Sequence, residues 1–234
     1  MSLLLHIDTA TEYASVCLTK NGLVIGFAEH AEPKNHGAFL QPAIQQIFQE
    51  AGYLVKDVDA ISVSNGPGSY TGLRVGLASA KGLCYALNKP LILVNTLEVM
   101  ACAAIKEIDN VCEIIGDQPL LPTCFCPLID ARRMEVFTAI YNLQLQIILP
   151  PTAVIIDENS FAQQLFNYQV IFSGSGLQKV KNVLQHKHAN FFFVRHNATH
   201  LSILAEQKFA EKSFSNLAYS EPFYLKEFYS PIKP

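Results

Sequence analysis

The sequence predicts an α/β fold made of two similar halves, each a mixed sheet with helices packed on it, and three observations carry that prediction. Over residues 1–100 the apolar pattern reads strand, strand, strand, helix, strand, helix, strand. After residue 122 the theme returns: three strands, a helix, then a strand running into a second glycine turn. Identity between the halves is negligible, so the repeat is one of pattern only. Finally, half of the 234 residues are apolar and only 16% are charged, enough to bury one large core or two modest ones.

In the first half, Leu3 to Ile7 is a short apolar strand ending at Asp8-Thr9-Ala10-Thr11. Ala14 to Leu18 and Leu23 to Glu29 are two more strands, joined by a tight turn at Asn21-Gly22. From His36 to Ala51 the period changes: Phe39, Leu40, Ala43, Ile44, Ile47 and Phe48 follow helical spacing, and Gly52 suits the stop. Pro42 should kink this helix or mark its first turn. Asp59 to Ser64 is a fourth strand, 65–72 a glycine-rich turn, Leu73 to Leu87 a helix, and Leu91 to Val94 a fifth strand.

A helix from Thr96 to about Val111 leads into a loop over 113–122. Strands at Cys126–Asp130, Glu135–Asn142 and Leu145–Leu149 follow, then a helix at 160–167 and a strand at Val170–Phe172 entering Ser173-Gly174-Ser175-Gly176. A helix near 177–185, a strand at Phe191–Val194 and a helix near 199–211 close the pattern.

Composition excludes several classes. Hydrophobicity this high with a net charge of −3 rules out intrinsic disorder, and 12 Gly with 12 Pro rule out collagen-like or low-complexity arrays. Apolar runs such as Pro90 to Val94 are far too short to span a bilayer, and the stretch from Leu145 to Ile156 is interrupted by Pro150-Pro151. The opening residues lack a basic segment and reach Asp8 quickly, so they read as a strand and not as a signal peptide. Only four arginines occur (Arg74, Arg132, Arg133, Arg195), which argues against tight binding of nucleic acid by the chain alone. The six cysteines, among them Cys124-Phe125-Cys126, are expected to be reduced thiols of a cytosolic protein, serving as small buried hydrophobes, with metal or redox use the alternative.

Three constellations could carry chemistry. Asp8-Thr9-Ala10-Thr11 between two antiparallel strands could hold a metal–phosphate group, or be an ordinary Asx/ST turn. Ser64 to Gly72 joins a strand to a helix, where backbone N–H groups and the helix dipole favour an anion; it is neither a P-loop nor GxGxxG, and could equally be a rigid turn. Asp130-Ala131-Arg132-Arg133-Met134-Glu135 in a hairpin reads as a salt-bridged turn, an anion site or a partner contact. His196 and His200 have the spacing of a zinc pair, but Asn197-Ala198-Thr199 looks like a helix cap that puts His196 outside the helix; no metal site is expected. Neither HExxH nor GxSxG is present.

The helix at 71–88 carries Gly72, Gly76 and Ala80 on one stripe, followed by Cys84, which would let another element approach closely. Its other face, with Leu73, Leu77, Leu83 and Leu87, is also apolar, so the helix should be buried on two sides, one against the sheet and the other against the 36–51 helix or another subunit.

The segment Asn65-Gly66-Pro67-Gly68-Ser69-Tyr70-Thr71-Gly72-Leu73-Arg74-Val75-Gly76 resembles the signature of the bacterial TsaB (YeaZ) family. Other pieces agree in order: Ile7 to Thr11, Asp130 to Phe137, Ser173 to Gly176, and Glu221-Pro222-Phe223-Tyr224-Leu225-Lys226 near the end. The chain departs from the family pattern at His36-Gly37-Ala38, where His-Ser-Glu is common, and at Lys226, where the family has Arg, which loses bidentate capacity.

The resemblance implies the two-lobe actin/Hsp70-like ATPase fold, each lobe a mixed five-stranded sheet with helices. The expected lobes are residues 1–100, with the helix at about 199–212 packing back on them, and residues 101–198, followed by a tail over 213–234. It further implies a non-catalytic cytoplasmic subunit, without catalytic or metal-binding residues, that supports transfer of a threonylcarbamoyl group to adenosine 37 of tRNAs reading codons that begin with A. Implied partners are a TsaD-like catalytic subunit and a TsaE-like ATPase, with a homodimer when the chain is isolated, tRNA bound only through the complex, and no membrane. The implied partner interface is Phe39, Leu40, Ile44, Ile47, Gly72, Leu73, Gly76 and Ala80. Asp8, Thr9, Gly66, Gly68, Ser69, Gly174 and Gly176 would be degenerate phosphate turns, and Arg74, Asp130 and Arg132 partner or anion contacts. No cofactor is required of this chain, ATP or ADP entering only at the level of the complex. The competing readings are a stand-alone small-molecule kinase or ATPase of the same fold using Asp8 and the two glycine turns, and a peptidase, for which no catalytic dyad is readable.

Overall fold

A computed structural model describes residues 2–30, 36–107 and 121–226. Cys112, most of the 113–122 loop and the tail beyond Lys226 lie outside the described residues, and the helix expected to reach Val111 ends at Lys106, with Glu107 as its cap.

The first sheet is built from β1 (Leu3–Asp8), β2 (Ala14–Lys20), β3 (Leu23–His30), β4 (Ala60–Ser64) and β5 (Leu91–Val94), in the order β3-β2-β1-β4-β5. β1 pairs antiparallel with β2 and parallel with β4, so the sheet is mixed. The second contains β6 (Thr123–Asp130), β7 (Glu135–Asn142), β8 (Ile147–Ile155), β9 (Gln169–Ser173) and β10 (Ala189–Phe191), in the order β10-β9-β6-β7-β8. Read from its other edge, this is the first sheet's order again, with β6 in the place of β1. Two five-stranded sheets of one topology, each with helices, are the actin/Hsp70-like architecture.

All six residues of β1 are buried, because the sheet is covered on both faces. Alternate side chains go to opposite faces. Leu3, Leu5 and Ile7 meet α1 (His36–Ala51) and α2 (Tyr70–Leu87) through Leu40, Ile44, Ile47, Leu77 and Ala80. Leu4 points the other way, into a cluster with Leu201, Leu204 and Ala205 of α6 (Ala198–Ala210) and Val99 and Cys102 of α3 (Thr96–Lys106). The opposite side of α3 places Leu97, Met100, Ala101 and Ala104 against Phe125, Ile129 and Tyr141 of the second sheet. Thus α3 and α6 lie between the two sheets. The far face of the second sheet packs Leu128, Val136, Ile140 and Phe172 on α4 (Ala162–Asn167) and α5 (Leu177–Val183).

Three sequence expectations shift. The strand placed at Phe191–Val194 lies earlier, at Ala189–Phe191, where it pairs with β9. β8 runs from Ile147 to Ile155 through Pro150-Pro151 and does not stop at Leu149. Among the described residues it pairs only with β7, and an edge strand tolerates prolines because its outer side has no ladder to join. Pro42 sits within α1 on its exposed side.

Candidate functional site: the interlobe cleft

The turns at the carboxyl ends of β1, β4, β6 and β9 converge where the lobes meet. Asp8 closes β1 and is buried. Its Oδ1 accepts hydrogen bonds from the Ser64 hydroxyl at 2.6 Å and the Ala10 N–H at 3.2 Å. Its Oδ2 faces Nε2 of His196 at 3.6 Å, and the Thr11 hydroxyl lies 3.4 Å from the same nitrogen. Burial holds the His196 imidazole below its ordinary pKa, against the raising influence of Asp8. The contact is therefore one of a carboxylate with a neutral ring, and Asp8 is committed inward.

The glycine turn packs onto that motif backbone to backbone. The Ser69 N–H donates to Ala10 O at 2.7 Å, and the Ser69 hydroxyl accepts from the Gly72 N–H as the cap of α2. The Thr9 hydroxyl donates to Gly72 O at 2.8 Å. A Cβ on Gly68 would overlap Ala10 O, and one on Gly72 would overlap Thr9 O. These glycines admit a neighbouring stretch of chain. Asp8 and this turn are thereby joined through the protein itself, with Asp8 Oδ1 taken up by Ser64 and Ala10 and the Ser69 N–H by Ala10 O. Gly66, at φ +120°, lies against the Phe223 backbone, whose N–H donates to Asn65 O at 2.7 Å.

In the second lobe, the Asp130 carboxylate pairs with Lys179 Nζ at 2.6 Å and accepts the Arg132 N–H at 2.7 Å. Burial pushes its pKa up, but the hydrogen bonds from Lys179 and Arg132 and the lysine charge outweigh it and hold it below its usual value. Gly174, at φ +103°, presses on Leu128 O and Met100, Gly176 packs on Leu128 and Val136, and the Ser175 hydroxyl accepts the Asp130 N–H.

Between the lobes an open cleft of about 1070 Å3 has Ser69, Tyr70 and Thr71 on one wall and Ile129, Asp130 and Arg132 on the other. A smaller cavity of about 270 Å3 adjoins Tyr13, Met100, Phe193 and Arg195. The Arg195 guanidinium stacks on Tyr13 at 3.7 Å and pairs with Glu29 at 3.0 Å. Among the described residues no group of three or more His, Cys, Asp or Glu side chains could hold a metal ion. His196 precedes α6, whose cap is Asn197, so His196 and His200 do not share a helix face.

Several sequence-predicted residues converge here, and others do not. Arg74 lies outside the cleft lining, on α2, where its Nε donates to Tyr224 OH at 3.1 Å and its guanidinium lies 4.0 Å over the Tyr70 ring. Leu40, Ile44, Ile47, Gly72, Leu73, Gly76 and Ala80, expected at a partner interface, are buried within this chain. The expectation is corrected: a Cβ on Gly76 would meet Thr9 and Val63, so the small-residue stripe admits the sheet and not a partner helix. Phe39 alone of that set is partly exposed. The sequence reading missed Tyr13, Arg195 and Tyr224, whose ring contacts join residues far apart in the chain, and it read His196 only as a metal candidate.

A family model described as "TsaD: tRNA N6-adenosine threonylcarbamoyltransferase" matches residues 26–229. The tRNA threonylcarbamoyladenosine biosynthesis protein TsaB of Escherichia coli (strain K12) is 35% identical over 139 residues, covering 59% of this chain and 54% of that protein, so this match spans about half of the relative's length. The protein of the same name from Haemophilus influenzae is 27% identical over 229 residues, 95% of this chain and 93% of its own. A solved structure described as YeaZ from Pseudomonas aeruginosa superimposes with a TM-score of 0.76 at 27% identity, covering 96% of this chain and 100% of that one. A family model matched over most of the chain, with relatives and a solved structure alike along nearly all of it, gives one conclusion: the chain belongs to the tRNA N6-adenosine threonylcarbamoyltransferase family, on its TsaB/YeaZ branch.

Proposed function

We propose that this chain is a supporting, non-catalytic subunit in the synthesis of threonylcarbamoyladenosine at position 37 of tRNAs that read codons beginning with A. It pairs with a TsaD-like catalytic subunit, which carries the transfer, and a TsaE-like ATPase docks on the pair. The observation that carries this reading is the internal commitment of the groups an active phosphate site of this fold would use: Asp8 is buried under Ser64 and Ala10, and the Ser69 N–H is spent on Ala10 O. This chain requires no nucleotide of its own, and ATP or ADP acts at the level of the complex. The partner meets the outward side of α1 and α2, where Ala38, Pro42, Thr71, Ala78, Gly82 and Ala86 are exposed. In isolation the same side pairs two copies, and the complex works in the cytoplasm.

The test is reconstitution. The chain alone should leave a tRNA transcript unmodified, while addition of the catalytic subunit and the ATPase should give modification that depends on this chain. ATP hydrolysis by the pure chain, lost in Asp8→Ala, would instead establish the stand-alone ATPase or kinase reading.

A further inference from the structure

Beyond α6, residues 215–226 lie outside any helix or longer strand, yet they keep a fixed course along the first lobe. The Ser215 N–H donates to Leu91 O at 2.8 Å, and Leu217 packs against the core under α1 and α2. Lys81 Nζ donates to Ala218 O at 3.2 Å and to Ser220 O at 3.0 Å, giving this irregular backbone the donor that a sheet ladder would supply. The Phe223 N–H donates to Asn65 O at 2.7 Å. Tyr224 stacks on Tyr70 at 5.3 Å between centroids, and its hydroxyl accepts from Arg74 Nε at 3.1 Å. Every one of these hydrogen-bond and ring partners lies on β5, on α2 or in the turn before α2, all in the first lobe.

The next contact crosses to the second lobe. Lys226 Nζ pairs with Glu135 Oε1 at 2.6 Å and Oε2 at 2.7 Å, and Glu135 is the first residue of β7. Lys226 comes two residues after Tyr224, and two residues span at most about 7 Å. The strap therefore ties Tyr70, on one wall of the interlobe cleft, to the hairpin that carries Asp130 and Arg132 on the other. Glu135 is rigidly part of that hairpin, since its O accepts the Ala131 N–H and its N–H donates to Arg132 O, both at 3.1 Å. The two ends of the strap are unequal. The first-lobe end rests on backbone hydrogen bonds and a ring stack, whereas the second-lobe end is one ion pair whose lysine side chain is 55% exposed. An ion pair so exposed is weak and is screened by salt.

We infer that residues 215–226 are a latch between the lobes. They hold the β6–β7 hairpin close to the start of α2, and breaking the Lys226–Glu135 pair lets the cleft widen while the strap stays on the first lobe. The pivot is α3, which packs on one sheet through one side and on the other sheet through its opposite side. This gives the closing Glu221–Lys226 motif a task of its own, and it goes beyond the proposed role in tRNA modification without depending on it.

The test is a distance measured across the cleft by pulsed EPR. Nitroxides go on Thr71→Cys at the start of α2 and Met134→Cys at the hairpin, both exposed positions, in a Cys112→Ser background. The other five cysteines are buried, and an excess of unlabelled chain removes distances between copies. In about 0.05 M KCl this labelled parent should give one narrow distribution. Lys226→Gln should broaden it and shift it several ångströms to longer distance, with the melting temperature within about 2 °C of the parent. Lys226→Arg, which keeps the pair, should keep the narrow distribution. Raising KCl to about 1 M should move the parent toward the Lys226→Gln distribution and leave Lys226→Gln where it was. A Lys226→Gln distribution as narrow as the parent's overturns the inference, as does a parent that is broad at low salt or indifferent to salt. Equal broadening by Lys226→Arg and Lys226→Gln would also overturn it, because the charge pair would then not be what holds the lobes.

Discussion

The backbone of Gly76 lies against the side chain of Thr9, so closely that a methyl group on the glycine would overlap Thr9 Oγ1. Thr9 is fully buried, and its hydroxyl is held by Gly72 O at 2.8 Å. The threonine cannot turn away without losing that bond. Gly76→Ala should therefore destabilise the fold by about 1–3 kcal/mol despite the better helix propensity of alanine. Gly82, on the same helix with open space at its Cβ position, is the control: Gly82→Ala should stabilise by about 0.5–1 kcal/mol. Denaturant melts of the two variants decide it, and equal shifts of one sign would contradict the packing described.

The exposed side of α2 gives a complementary prediction about association. Ala78 is exposed on a helix whose other faces are buried. Ala78→Arg should leave the melting temperature within about 2 °C, as surface substitutions do, while reducing homodimerisation or capture of the catalytic subunit about tenfold or more. Sedimentation at several concentrations measures the first, and pull-down with the purified partner the second.

A buried polar chain ties α6 to the first sheet and sets a pH dependence. The Thr19 hydroxyl donates to Glu206 at 2.7 Å, so it must accept from His6 Nε2–H at 2.8 Å; His6 Nδ1 then accepts from the Ser62 hydroxyl at 2.7 Å. This requires a neutral imidazole, and burial lowers the His6 pKa to about 3. In the unfolded chain the ring takes a proton near pH 6.5, so between those values the unfolded state binds more protons. Stability is full above about pH 6.5 and falls as the pH drops toward 3, with a slope approaching about 1.4 kcal/mol per pH unit. His6→Leu should reduce that slope between pH 6 and 4, at the cost of leaving Ser62 and Thr19 short of a partner. An unchanged slope in urea melts across this range would remove His6 as the source.

Burial also fixes thiol chemistry. Cys17, Cys84, Cys102, Cys124 and Cys126 are all buried, and burial raises each thiol, with Cys17, Cys84 and Cys124 pushed up to about 12. A thiolate-dependent reagent should find no more than one of the six cysteines in the native protein and all six in denaturant. Rapid labelling of two or more native thiols would contradict this.

The sequence by itself determined the succession of strands and helices along the chain, the two-half pattern and the positions of the glycine turns, while the order of strands within each sheet came from the structure. Alternation in strands and the 3.6-residue period in helices are local, and Gly22, Gly52 and Gly174 mark backbone with positive φ that glycine adopts readily. It also placed Asp8 and both glycine turns together at the carboxyl ends of strands. What it decided wrongly is which side of a doubly apolar helix faces inward: Gly72, Gly76 and Ala80 read as partner-facing, and the structure places Thr9 and Val63 beneath Gly76. Only tertiary structure decided that Asp8 is consumed by Ser64 and faced by His196, and that Tyr224 returns to stack on Tyr70. These contacts join residues 56, 188 and 154 positions apart by subtraction of their numbers, and no local period encodes a pairing at such separations. Such pairings are set when the burial of both sheet faces against shared helices brings the lobes together.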